Sequence, residues 1–190
     1  KNKLIPNLVN VSSKKFIGHM TGPVPPIMRY LQDNVTKINQ NLVKYETAGV
    51  GTYVERQVIE CFHRLIFKYS TDFYSNSIQD SNLSLGIFTN GGTLSNITAL
   101  SYALSKKLRG YDNDGINNIG LIKCLERTDY SDIVILAPSL CHYSIKKAMK
   151  VLGLGVNSII KFDLDKGNIE QSKNQLIEKI EYFQEQNILI

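Results

Sequence analysis

The chain reads as an α/β domain preceded by a helical segment. Three observations predict this. From residue 85 onward, short apolar runs alternate with amphipathic stretches, the order expected when strands and helices are layered. Ile133-Val134-Ile135-Leu136-Ala137 is apolar at every position, as in a parallel sheet covered on both faces. Ahead of residue 75 the apolar residues instead recur every three or four positions, the period of a helix. With 190 residues, 43% of them hydrophobic, the chain can bury one core and an additional lobe. The expected organisation is therefore a helical segment over 1–75 and the first part of an α/β domain over 76–190.

The elements follow in order. After Pro25-Pro26, the residues Ile27, Met28, Leu31, Val35, Ile38 and Leu42 predict a first helix. Thr47-Ala48-Gly49-Val50-Gly51 reads as a turn, and Thr52 as the N-cap of a second helix, with Glu55 as its capping-box partner. That helix presents Val54, Val58, Ile59, Phe62, Leu65 and Ile66 on one face, and polar residues from Ser75 to Ser84 mark a loop. Leu85 to Thr89 predicts a short buried strand. A helix from about Leu94 to Leu108 follows, then a polar excursion over Arg109 to Asn118 and a short helix near Leu121 to Leu125. The remainder predicts a strand at 133–137, a helix from Tyr143 to Leu152 ending at Gly153, a strand at 156–162, a helix at 169–184 and a strand opening at 187–190. The chain opens without methionine and ends on a buried strand with no return helix, so it is expected to be part of a longer protein.

Composition removes several function classes. The net charge of +5 is spread along the chain, and the pairs Lys14-Lys15, Lys106-Lys107 and Lys146-Lys147 sit beside apolar periodic positions, as on solvated helix faces; no nucleic-acid partner is expected. Cys61, Cys124 and Cys141 are odd in number and far apart, with neither C-x-x-C nor a Cys/His pair at zinc spacing. Neither a disulfide framework nor a metal site is indicated, and a reducing, cytoplasmic setting is expected. No apolar run approaches the roughly 18 residues of a membrane span, and Lys1 to Asn10 lacks a signal-peptide core.

Two segments carry candidate chemistry. Thr89-Asn90-Gly91-Gly92-Thr93-Leu94-Ser95-Asn96 lies between a predicted strand and a predicted helix. Two glycines allow a close approach to main-chain N–H groups, the helix start adds unpaired donors and a positive dipole end, and Thr93 adds a hydroxyl. The spacing fits neither G-x-G-x-x-G nor the P-loop. A phosphate cradle and a ligand-free turn capped by Thr93 both satisfy the pattern. The second segment, Leu140-Cys141-His142-Tyr143-Ser144, follows the apolar strand directly. Its imidazole could stack on a flat ring, exchange a proton, or simply cap the next helix. Both segments fall at carboxyl ends of strands, the edge where open α/β sheets bind ligands.

At these two motifs the sequence resembles the group II pyridoxal-phosphate-dependent (PLP-dependent) amino-acid decarboxylases. Gly86 to Asn96 is similar to the family's phosphate-binding turn and helix, and Cys141-His142-Tyr143-Ser144-Ile145-Lys146-Lys147-Ala148 with Leu152-Gly153-Leu154-Gly155 to its His-Tyr-Ser segment. Gly18-His19-Met20-Thr21, Asn39 to Lys44 and Val54-Glu55-Arg56-Gln57 resemble the bacterial pyridoxal-dependent aspartate 1-decarboxylase subgroup. The resemblance covers nearly the whole chain, but only the N-terminal portion of a longer enzyme.

It implies a fold type I, PLP-dependent-transferase-like large domain, the cofactor pyridoxal 5′-phosphate, and α-decarboxylation of an acidic amino acid, L-aspartate to β-alanine. A glutamate or other amino-acid decarboxylase, or a non-catalytic truncated product, are the alternatives. By resemblance Gly92 and Thr93 donate to the cofactor phosphate, His142 stacks on the pyridine ring as the catalytic residue, Asn96 lies close to the cofactor and Thr52 approaches the substrate. A capping threonine and a surface asparagine also account for Thr52 and Asn96, and structural roles are expected for His19 and His63. The family usually has serine where this chain has Asn90. It also implies a homodimer, and places the cofactor lysine and the ring-nitrogen aspartate beyond Ile190, so that the 190 residues alone are expected to be inactive.

Overall fold

The computed structural model describes residues 9–11, 13–17, 24–109 and 115–190. The chain divides into two compact units, Lys1–Ile87 and Phe88–Ile190. The segment Gly18 to Thr21, with His19, lies outside the described residues.

The first unit is helical. α1 spans Ile27–Ile38 and stops at Asn39, whose left-handed backbone (φ 45°) ends it short of the predicted Leu42. The predicted turn at 47–51 is in part helix: α2 covers Tyr45–Ala48, and after a break at Gly49 α3 runs from Val50 to Phe67. Thr52 is therefore not an N-cap. It lies inside the first turn of α3, its N–H donates to the Gly49 carbonyl, and no side chain caps the helix. The capping-box pattern failed because the backbone reverses at Gly49, which starts the helix before Thr52 is reached. The Tyr45 and Tyr53 hydroxyls meet at 2.8 Å, and this hydrogen bond, followed by their mutual charge repulsion, raises the Tyr45 phenol above its ordinary value.

α4 spans Thr71–Ser77, with Ser70 as its N-cap accepting from the Phe73 N–H, so the predicted loop begins only after Ser77 and the boundary expected at 75/76 falls within this helix. The chain that follows stays with α3. Arg56 donates to the Asp80 carbonyl at 2.7 Å, and a β-carbon on Gly86 would stand 3.3 Å from the Ile59 side chain. Tyr74 is fully buried, its hydroxyl 2.9 Å from His63 Nδ1 and its ring under the Arg64 guanidinium. His63 stacks with Phe73 and Tyr69 in the same aromatic cluster, which gives it a packing role. Leu85–Thr89, predicted as a strand, forms none. A strand needs a ladder partner, and among the described residues none pairs with this segment.

The second unit holds the sheet. α5 spans Gly92–Lys107, α6 Ile116–Ile119 and α7 Leu121–Glu126. The predicted strand 133–137 is split by pairing. β1 (Asp132–Ile133) runs parallel to β4 (Ile188–Leu189), and β2 (Ile135–Pro138) runs parallel to β3 (Ile159–Phe162). Between β1 and β2 the Val134 N–H still donates to Leu189. Parallel pairing requires a crossover, supplied by α8 (Ser144–Val151) between β2 and β3 and by α9 (Ile169–Glu185) between β3 and β4. The third strand is shorter than predicted, since Val156–Ser158 forms a 3-10 turn.

Leu104, Leu108, Cys124, Ile133 and Leu189 form the buried core, flanked by Ile116, Ile119, Leu121, Leu125, Leu152 and Leu154. α5 packs on α8, whose Ala148 and Met149 are fully buried. Met149→Ala is expected to lower stability by about 2–5 kcal/mol, because it removes a fully buried side chain. Val151→Ala, at the solvent-facing end of the same helix, should change it by less than about 0.5 kcal/mol. Urea unfolding of both variants, followed by circular dichroism, checks this; equal losses would contradict the packing.

Candidate cofactor site

The start of α5 is built by two glycines that differ in their reasons. Gly91 is the N-cap with φ 93° and ψ 161°, a conformation essentially confined to glycine. Gly92 opens the helix with no positive φ, and a β-carbon there would meet nothing within 4 Å. Among the described residues nothing therefore requires glycine at 92. No side chain caps this end of α5, so its first-turn N–H groups and its positive dipole end are presented outward. Thr93 is half-buried beside them and Asn90 is exposed.

The second segment comes off the end of β2. Ser139 is tied to the Phe162 carbonyl at 2.8 Å and the Cys141 N–H to Pro138, so the chain turns sharply and delivers His142 just before α8. The two segments meet at Ser144, the first residue of α8, which is only 2% exposed. Asn96 Nδ2, one turn into α5, donates to Ser144 Oγ at 2.8 Å. Ser144 Oγ lies 2.8 Å from His142 Nδ1, and the Ser144 N–H also donates to Nδ1 at 3.2 Å. The His142 ring is itself exposed and lies 4.1 Å from the Tyr143 ring, centroid to centroid.

Of the residues nominated from sequence, Gly92, Thr93, Asn96 and His142 thus fall at the adjoining starts of two helices, α5 and α8. Asn96 directs its amide to Ser144. Thr52 belongs to the first unit, where its hydroxyl is buried with no hydrogen-bond partner among the described residues. Ser144 was missed as a functional candidate. Its signal was the His-x-Ser spacing at a helix start, where a serine hydroxyl reaches back to the preceding residues.

The arrangement suits a phosphorylated flat ring. The uncapped first turn of α5 leaves main-chain donors beside the open space at Gly92, as a phosphate requires, with Thr93 next in the chain, and the exposed His142 stands at the neighbouring helix start.

No family model matches the chain. It is 39% identical over 166 residues to an aspartate 1-decarboxylase of Aliivibrio fischeri, a match that takes in 87% of this chain and 30% of that relative. Two solved structures are similar in fold. One is a glutamate decarboxylase domain of a diaminobutyrate-pyruvate transaminase and L-2,4-diaminobutyrate decarboxylase from Vibrio parahaemolyticus, with a TM-score of 0.66 and 22% identity, covering 93% of this chain and 36% of that one. The other is mouse CSAD in its apo form, with a TM-score of 0.67 and 20% identity, covering 96% and 33%.

The two glycines separate strain from ligand approach. Gly91→Ala is expected to cost about 1–3 kcal/mol, through its backbone. Gly92→Ala should stabilise by about 0.4–1 kcal/mol, since a methyl group fits and the unfolded chain loses freedom. Thermal unfolding of the pair measures this, and a destabilised Gly92→Ala would mean that a contact inside the protein requires that glycine. The chain has the α/β fold of the fold type I, PLP-dependent-transferase-like class and spans about a third of each of these longer relatives.

Proposed function

We propose that this chain is part of a group II PLP-dependent amino-acid decarboxylase, of the aspartate 1-decarboxylase subgroup, and that the whole protein converts L-aspartate to β-alanine and carbon dioxide. The observation that carries this reading is the Asn96–Ser144 bond, which joins an open glycine helix start to the His142 segment. It occurs in a chain 39% identical to an aspartate 1-decarboxylase over most of its length. Each motif alone has a plain structural explanation; the hydrogen bond that holds the two together supports reading them as one site.

In this reading the Gly92 and Thr93 N–H groups, with the Thr93 hydroxyl, bind the phosphate of pyridoxal 5′-phosphate. The absent β-carbon at 92 leaves the space into which the phosphate fits. His142 lays its exposed face against the pyridine ring in offset stacking. Asn96 lies near the cofactor and supports His142 through Ser144. Thr52 faces the substrate, and its orphaned buried hydroxyl supports a partner outside the described residues. When bound, the cofactor supplies an electron sink for the pair left as carbon dioxide departs. None of this chain's lysines lies in a motif that would attach it, and the 190 residues alone are proposed to be inactive. A cytoplasmic homodimer is proposed for the whole protein. Among the described residues no helix is long and apolar enough to cross a membrane.

The test is the visible absorption of the whole protein with added PLP, together with product analysis. A cofactor band that responds to L-aspartate, with β-alanine formed, is the expected result. A band that responds to L-glutamate instead would move the substrate assignment to the kind of activity named for the Vibrio structure. No band at all would sink the cofactor assignment. Gly92→Ala and Thr93→Ala should both weaken PLP uptake, the former in a protein no less stable than the parent. His142→Ala should reduce turnover more than it reduces stability.

A further inference from the structure

We propose that Ser144 and Asn96 are positioning residues that hold His142 as a single neutral tautomer, with the proton on Nε2. The inference rests on the reading of His142 as the cofactor-facing residue for its functional meaning, but its geometry stands on the hydrogen bonds alone.

The direction of the chain of bonds is fixed at one end. The Ser144 main-chain N–H can only donate, and it donates to His142 Nδ1 at 3.2 Å. Nδ1 must then offer its lone pair and carry no proton. The Ser144 hydroxyl, 2.8 Å from the same nitrogen, therefore donates to it. That leaves Ser144 Oγ as an acceptor, and the amide of Asn96 fills the role at 2.8 Å. Turning the Asn96 amide over would place its carbonyl against Ser144 Oγ. The hydroxyl would then donate to Asn96, Nδ1 would need a proton to bond Oγ, and that proton would meet the Ser144 N–H head-on. Only one arrangement satisfies all three groups.

Burial makes the arrangement firm. Ser144 is 2% exposed, so water does not compete freely for its hydroxyl, and an unsatisfied partner would carry the full cost of desolvation. The outer nitrogen has no partner among the described residues, and the ring is exposed. His142 thus presents outward an N–H donor rather than a lone pair. It is set up to donate a hydrogen bond to an acceptor atom at the edge of its ring, not to remove a proton.

The experiment is 15N NMR of the whole protein labelled at histidine, with the ring of His142 assigned by its loss in His142→Gln. The wild type should show an unprotonated Nδ1 and a protonated Nε2. Asn96→Asp, nearly isosteric, replaces the donor by an acceptor; the Ser144 hydroxyl then donates away from the ring, Nδ1 keeps only the Ser144 main-chain N–H, and its resonance should shift while it stays unprotonated. Ser144→Ala likewise leaves Nδ1 with the main-chain donor alone and should shift its resonance in the same direction, a change that a serine not bonded to the ring would not produce. Unchanged His142 nitrogen shifts in both variants, or a wild type protonated on Nδ1, would overturn the proposal. A PLP titration on the same samples keeps the two readings apart. Nδ1 shift changes in a protein that takes up no PLP would sink the cofactor assignment and leave the relay standing. PLP uptake with unchanged nitrogen shifts would do the reverse.

Discussion

The second unit is organised by one stretch of chain, Asp132 to Pro138, which pairs in parallel with two different strands. Its first half meets β4 and its second half β3. Parallel neighbours cannot be joined by a tight hairpin; each needs a long return over a face of the sheet. That single constraint accounts for α8 and α9, and for the apolar run from Ile133 to Ala137. It also sets where chemistry can occur. The turn after β2 must climb from the end of the strand to the start of α8, and His142 and Ser144 lie on that climb.

Packing then brings the second half of the site to the first. α5 lies on α8, and the fully buried Ala148 and Met149 fix how closely the two helices approach. With the apolar side chains in register, Asn96 falls one turn into α5 and faces the first residue of α8 at hydrogen-bonding distance. A part-buried polar bond of this kind adds little net stability, about 1 kcal/mol. Its effect is on geometry, since both helices must start where the bond can form. The positive ends of two helix dipoles are thereby placed beside each other, an arrangement better suited to an anion than to empty solvent.

How much of this was legible in the sequence depended on whether a signal was local. The helix periodicities placed α1, α3, α5, α8 and α9, with ends displaced by a few residues where a backbone reversal intervened. Asn39 cut α1 short by adopting a left-handed conformation, which apolar spacing does not report. Thr52 matched a capping box, yet Gly49 had already begun the helix, because caps are decided by φ and ψ and not by residue type alone. Leu85 to Thr89 had strand composition, but a strand exists only where another pairs with it. The site divided in the same way. The glycines and His142 were visible as local motifs, while the bond between Asn96 and Ser144 spans 48 positions in sequence and could emerge only from tertiary packing.

The adjacent glycines carry the argument furthest. Gly91 is accounted for by its own backbone, which no residue with a β-carbon adopts without strain. Gly92 has no such reason: its φ is ordinary, and the space where its β-carbon would stand is open. Glycine in a helix is less favourable than alanine by roughly 0.5–1 kcal/mol, because more backbone freedom is lost on folding. A chain whose local choices otherwise agree with its fold gives up that stability only where something outside the fold requires it. The main chain at Gly92 is thus open to approach by a group that is not among the described residues. Gly92 lies at a helix start that no side chain caps, beside the start of α8 and the exposed His142.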